Sequence, residues 1–318
     1  MKNKYIIFVS IIILLIVGIS FYQYYDEYFS YARDYYLIKE NCYNGKNPDL
    51  DVCEIFKYDK ENIEEHFNYY IKNMDPKKAY KELDAITLTS NIIETTFFSI
   101  MQYLSPLLII IIVIGKFHSE FSSGMFKNFF LRESHKNYLK KVMKYILKIS
   151  LITPIVLIIV FLISCLVTKF NFNIVDSIKD TTVYSDFKYN HFFIYGLSIC
   201  LLQYIINITY AALGLISCKY NKSKIVSILF AYILFVIINL GMYLGIYDII
   251  NFISIKIFNH NLIWDAFIMN AYWFSTNTEQ IITSLIVAII TTTATITITY
   301  LLYKNKEGMV LAYEKQNS

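Results

Sequence analysis

KFHSEFSSGMFKNFFLRESHKNYLKKVMKY, residues 116–145, is the stretch around which the rest of the chain arranges itself. It holds seven basic and two acidic residues, a net +5, yet phenylalanine recurs through its first half. An apolar run flanks it on each side, 92–114 before and 146–168 after. A bilayer core is about 30 Å thick, so a helix needs roughly 20 apolar residues to cross it. Both runs are long enough, which makes the basic stretch a loop between two spans. Four further runs of that length lie at 5–24, 192–217, 225–247 and 281–303. They lack the alternation of a barrel strand, and backbone groups in lipid must find partners within their own segment. The expected fold is therefore an all-α integral membrane protein with six transmembrane helices. Lys148 lies close enough to an end of its run to snorkel.

Composition agrees. Of 318 residues, 56% are hydrophobic and 17% charged, too apolar a balance for an ordinary soluble domain. Arginine occurs only at Arg33 and Arg132, while Lys, Ile, Asn, Tyr and Phe dominate. An AT-rich bacterial genome would give that bias, which therefore carries no chemical signal; the expected location is a bacterial plasma membrane. The first run also has the basic start and small-residue site of a signal peptide (Lys2, Lys4, Gly18, Ser20). Its length, and the aromatic belt Phe21, Tyr22, Tyr24 and Tyr25, favour an uncleaved span.

Charge sets the orientation, because basic loops stay in the cytoplasm. Residues 25–90 hold fourteen acidic and nine basic side chains, a net −5. The turn at 218–224 has Lys219, Lys222 and Lys224 and no acid. This alternation puts both termini inside. It divides one transmembrane domain, 1–318, into a larger external insert at 25–90, a cytoplasmic interfacial segment at 116–145, and an external segment at 248–280. Trp264 and Trp273 would anchor the last at the outer surface. In the insert, Cys42 and Cys53 flank the turn-rich NGKNPDLDV. A disulfide closing that loop and two separate thiols are both compatible with an external location.

Polar residues within the runs are few. Gln203 and Asn207, four apart, share a helical face. Asn239 precedes Gly241 and Gly245, a small-xxx-small spacing that permits close helix contact. Pro106 and Pro154 can kink their helices. Two roles fit these residues: helix packing, or a translocation path or subunit seam. No acid lies mid-span to couple proton or sodium flow. None of the nine glycines builds a phosphate-binding loop. Cysteine and histidine spacings fit no metal site, and no acid, metal and nucleophile set suggests an enzyme. Six helices of this kind need energy from another polypeptide. Nothing points to nucleic acid.

Phe117, Phe121, Met125 and Phe129 recur at intervals of four, the pattern of an amphipathic helix lying at the inner interface. LRESHKNYLKKVMKY then turns strongly charged and should form a cytoplasmic surface leading into the third span. Its lysines would also suit anionic lipid.

At these residues the chain resembles the permease subunits of type-2, exporter-type ABC transporters. That family shows a Glu, then Gly-Thr, then a helix and a Pro-x-Ser-Arg-like turn before the third span. Glu120, Gly124 and Lys127 match the first part, and Ser134 and Lys136 the turn; Met125 replaces Thr, and the Pro is missing. The local match covers about twenty residues, while the six-span plan covers nearly the whole chain. The resemblance implies that the segment between spans two and three docks on a separate ATP-binding subunit carrying ATP and Mg, with no cofactor bound by this chain. It also implies a second permease, the same chain or a paralogue, and short re-entrant helices between the fifth and sixth spans, which makes 248–280 an external or re-entrant segment. The expected docking contacts are Arg132, Glu133, His135, Lys136 and Tyr138. The expected cargo is an antimicrobial peptide, a lipid or a drug. The alternative is a non-transporting sensor or bacteriocin-immunity protein that binds a ligand through its external insert.

Overall fold

A computed structural model describes residues 4–38, 41, 84–132, 134–173, 191–221, 223–241, 248–258 and 278–304. Regular structure among these residues is helical, with no strand. In chain order the helices are α1 (Lys4–Ile38), α2 (Ala85–Glu94), α3 (Thr96–Ser122), α4 (Met125–Arg132) and α5 (His135–Ile149). They continue with α6 (Ile152–Val167), α7 (Phe192–Tyr220), α8 (Lys224–Gly241), α9 (Asp248–Phe258) and α10 (Thr278–Lys304). Six segments are long and apolar enough to cross a membrane: Lys4–Asp26, Leu104–Phe121, His135–Val167, Phe192–Tyr220, Lys224–Gly241 and Ser284–Lys304. Cys42, Cys53 and most of the 25–90 insert lie outside the described residues, as do Glu133, Gly245, Trp264 and Trp273. Of the expected 248–280 segment, α9 covers the opening part.

The second apolar run is not one helix. Thr95 adopts extended backbone and separates α2 from α3. Its hydroxyl donates to the Ile92 carbonyl, 2.7 Å, a local bond that competes with helical pairing. At the other end, α3 runs on to Ser122, past the 114 boundary expected from hydropathy. Lys116 does not stop it: the ammonium sits 3.7 Å from the centroid of the Tyr145 ring, and Glu120, one turn on, attracts it. Phe117 and Phe121 are each 2% exposed. The periodicity of four holds, but these rings pack against protein rather than lying at a membrane interface.

The helices sort into two compact units. The first comprises Met1–Leu14, Ile100–Ile158 and Thr182–Ser318. Its hub is α7, whose apolar stretch is 72% buried, against 22% for that of α8 and 28% for that of α10. Two glycines allow the close approaches. Gly115 lies directly against the Tyr5 ring, and a Cβ on Gly214 would stand 3.2 Å from Val113 Cγ1. The apolar faces of α8 and α10 point away from the unit, with Ile225, Leu229, Ile286 and Ile290 at least half exposed. That is the distribution of side chains that meet lipid.

The second unit comprises Leu15–Ser99 and Ile159–Thr181. Asp84, fully buried, caps α2: its carboxylate accepts from the Thr87 N–H at 2.7 Å and the Thr87 hydroxyl at 2.5 Å. The Ala85 N–H donates to the Asn171 carbonyl, 2.7 Å. Lys169 and Phe170 leave α6 with φ of 54° and 59°, left-handed backbone that is uncommon outside glycine. The Phe170 N–H reaches back to the Cys165 carbonyl at 2.7 Å and closes the turn.

Candidate functional site

The polar and charged residues singled out by sequence gather in two places within the first unit: the elbow from α3 to α5, and one face of α7. At the elbow, Gly124 ends α3 with φ 66°. Its N–H donates to the Phe121 carbonyl at 3.0 Å, and its own carbonyl accepts from Lys127 at 2.9 Å. A left-handed glycine after the last helical turn is a common helix stop. It re-aims the chain into α4, which ends on the exposed Arg132. Ser134 then caps α5, its hydroxyl accepting from the Asn137 N–H at 3.3 Å.

Of the expected docking residues, Arg132 and Lys136 are exposed and His135 is half-buried. Glu133 lies outside the described residues. Tyr138 is a correction: it is 3% exposed and sits among Glu120, Cys218 and Tyr303. It lies four residues before Val142 and eight before Ile146, on the buried face of α5. The strong charge of LRESHKNYLKKVMKY hides this face, because only every third or fourth residue belongs to it. Glu120, Gly124 and Lys127 are each half-buried around the elbow.

The other concentration surrounds α7. Gln203 and Asn207 are fully buried within the chain's own bundle, and Asn239 on α8 is 1% exposed. As placed here, none of the three presents itself to a second copy, so their part as a subunit seam is not supported. Gly241, in contrast, has open space where a Cβ would stand. Asn239 donates to the Phe235 carbonyl one turn back, 2.7 Å. Asn207 Nδ2 donates across to the Ser150 carbonyl at 3.0 Å. Asn207 Oδ1 and both polar atoms of Gln203 have no hydrogen-bond partner among the described residues.

Toward α10, four side-chain hydrogen bonds join the two helices, while the buried Ser284 hydroxyl of α10 has no hydrogen-bond partner among the described residues. Thr209 and Thr292 hydroxyls meet at 2.8 Å, and Thr292 also donates to the Ile205 carbonyl at 3.0 Å. Thr292 has one hydroxyl proton, so Thr209 is the donor in the pair. The Tyr303 hydroxyl donates to the Leu215 carbonyl at 2.7 Å, and Lys219 Nζ to the Leu302 carbonyl at 2.5 Å. Lys224 bonds the Tyr5 hydroxyl, tying α8 to α1. Sequence reading missed these anchors. Tyr303 only closed an apolar run, Lys219 only counted toward a basic turn, and the Thr-rich TTTATITIT of α10 gave no phase by which to choose Thr292.

What this arrangement can do chemically is hold helices to one another through polar contacts. No group of three His, Cys, Asp or Glu side chains converges among the described residues. Comparison with protein-family models, curated proteins and solved structures finds no match.

Proposed function

We propose that this chain is the membrane-spanning subunit of an ABC exporter, driven by a separate ATP-binding subunit that carries the ATP and Mg. The observation that carries this reading is the elbow. Two span-length helices are joined by a left-handed glycine, a short helix ending on exposed Arg132, and a serine-capped basic helix that runs on toward the next apolar helix. Such a projecting, basic helical corner suits a polar, reversible interface with another protein. The distribution of lysine supports cytoplasmic termini and a cytoplasmic elbow, with the 25–90 insert outside, in a bacterial plasma membrane. A second permease, identical or paralogous, completes the path. The insert's net −5 favours a cationic cargo such as an antimicrobial peptide, within the roughly 8–10 Å that salt leaves unscreened.

The test is co-purification. The chain, tagged after Ser318, is extracted gently from native membranes and its companions identified. A stoichiometric ATP-binding subunit and vanadate-sensitive ATP hydrolysis are expected. A chain that repeatedly emerges alone, without such activity, would overturn the reading and leave a ligand-binding sensor or immunity protein. The elbow is tested separately by the double charge reversal Arg132→Glu, Lys136→Glu. Recovery of the ATP-binding subunit should fall about tenfold or more, the effect of about 1.4 kcal/mol at an interface. The unfolding temperature should hold, because exposed substitutions cost within about 0.5 kcal/mol. Unchanged recovery would remove the docking role from these two residues.

A further inference from the structure

The junction of α5 and α6 contains a backbone group that the helices themselves cannot satisfy. A helix end leaves its last carbonyls without intrahelical donors. At Ser150 the natural donor would be the residue four further on, and that residue is Pro154, which has no N–H. The Ile155 N–H is already committed to the Leu151 carbonyl, 3.0 Å. Ser150 and Pro154 are both buried, so water is a poor substitute. The donor comes from another helix: Asn207 Nδ2 lies 3.0 Å from the Ser150 carbonyl.

Local geometry favours bending at the same point. The Ser150 hydroxyl donates to the Ile146 carbonyl at 2.9 Å, which the Ser150 N–H also contacts at 3.0 Å. Serine bonding back to the preceding turn in this way bends helices. Proline and serine together are a recognised cause of a kink.

We propose that Ser150–Pro154 is a hinge between α5 and α6, and that Asn207 is the positioning residue that holds it in the conformation seen here. A side-chain bond to a freed carbonyl can be made and released without disturbing either helix ladder. One turn along the same face of α7, Gln203 has neither polar atom partnered among the described residues. An unsatisfied amide beside the hinge is what a face that repacks would leave in one of its states. The consequence for transport rests on the reading above: α5, of 15 residues, is a lever about 22 Å long from the elbow to the hinge. The hinge itself does not depend on that reading.

Hydrogen exchange on the full chain in lipid nanodiscs, without any companion protein, tests it. The peptides are those covering 146–158, compared across wild type, Asn207→Leu, Pro154→Ala and the double variant. With the proline in place, Asn207→Leu should accelerate exchange there by about tenfold, the scale of one lost hydrogen bond. In the Pro154→Ala background, where the new N–H can reach the Ser150 carbonyl, the same substitution should change exchange by less than about twofold. If Asn207→Leu folds only in combination with Pro154→Ala, the inference stands. An equal effect in both backgrounds, or failure to fold in both, would overturn it and make Asn207 a packing residue. Failure of the exporter reading would instead show as absence of an ATP-binding subunit, with the exchange pattern intact.

Discussion

The two faces of α7 differ in how completely their polar groups are used. Toward α10, Thr209, Thr292, Tyr303 and Lys219 each find a partner on the neighbouring helix. Toward the α5–α6 junction, Asn207 makes one bond, while its oxygen and both ends of Gln203 have none among the described residues. In a bilayer, apolar side chains gain nothing from leaving lipid, so helices associate through packing and interhelical hydrogen bonds. A face crossed by several such bonds is a fixed joint. A face with polar atoms left over has partners to gain in a second arrangement, as the proposed hinge requires. The same helix thus serves as strut on one side and bearing on the other.

The fixed joint breaks hardest at Tyr303. Its side chain is buried, stacks edge-on against Phe121 with centroids 5.9 Å apart, and holds the Leu215 carbonyl. Tyr303→Ala should cost about 3–5 kcal/mol, the range for emptying an aromatic site. Tyr303→Phe keeps the ring and should cost about 1 kcal/mol. A thiol-reactive dye, added after accessible thiols are blocked, follows unfolding through buried Cys165 and Cys218. If Tyr303→Ala melts like wild type, α10 is not anchored through this residue.

Thr292→Val probes the same joint at smaller scale. It removes the acceptor for Thr209 and the donor to the Ile205 carbonyl while keeping the shape. Thr209 can turn to its own helix, so the loss should be about 0.6 kcal/mol, the average for side-chain bonds between membrane helices. A loss above about 2 kcal/mol would mean that the two threonines act as one cooperative unit with the rest of the seam.

Much of this was legible before any coordinates. Six apolar runs became six span-length helices, because apolar length is a local property. Gln203 and Asn207 were placed on one face by their spacing alone. The boundaries were less legible. A ring every fourth residue looks the same whether it meets lipid or protein, so Phe117 and Phe121 read as interfacial until α3 was seen to continue through Lys116. Tyr138 stands among lysines and so read as a docking contact, although it lies on the buried face of α5. The α5–α6 junction was half visible: Pro154 announced a kink, but its partner lies 57 residues from Ser150 in sequence. The start of α2 depends on the Asn171 carbonyl, reached only through the folded chain.

The effect at Gln203, centred near zero, is the sharpest, because its sign differs from the others. Gln203 is fully buried and makes no hydrogen bond among the described residues. Removing a buried amide that has no partner takes away a desolvation cost and no interaction. Gln203→Leu, of similar volume, should therefore leave the melting point unchanged or raise it, by about 1 kcal/mol at most. A hydroxyl removed from the α10 side must lower it. If Gln203→Leu instead destabilises as Thr292→Val does, its amide is satisfied, and both faces of α7 are fixed joints. If it stabilises the isolated chain yet slows the transport proposed for it, the unsatisfied amide belongs to a state other than the present conformation. The bearing would then have its second position.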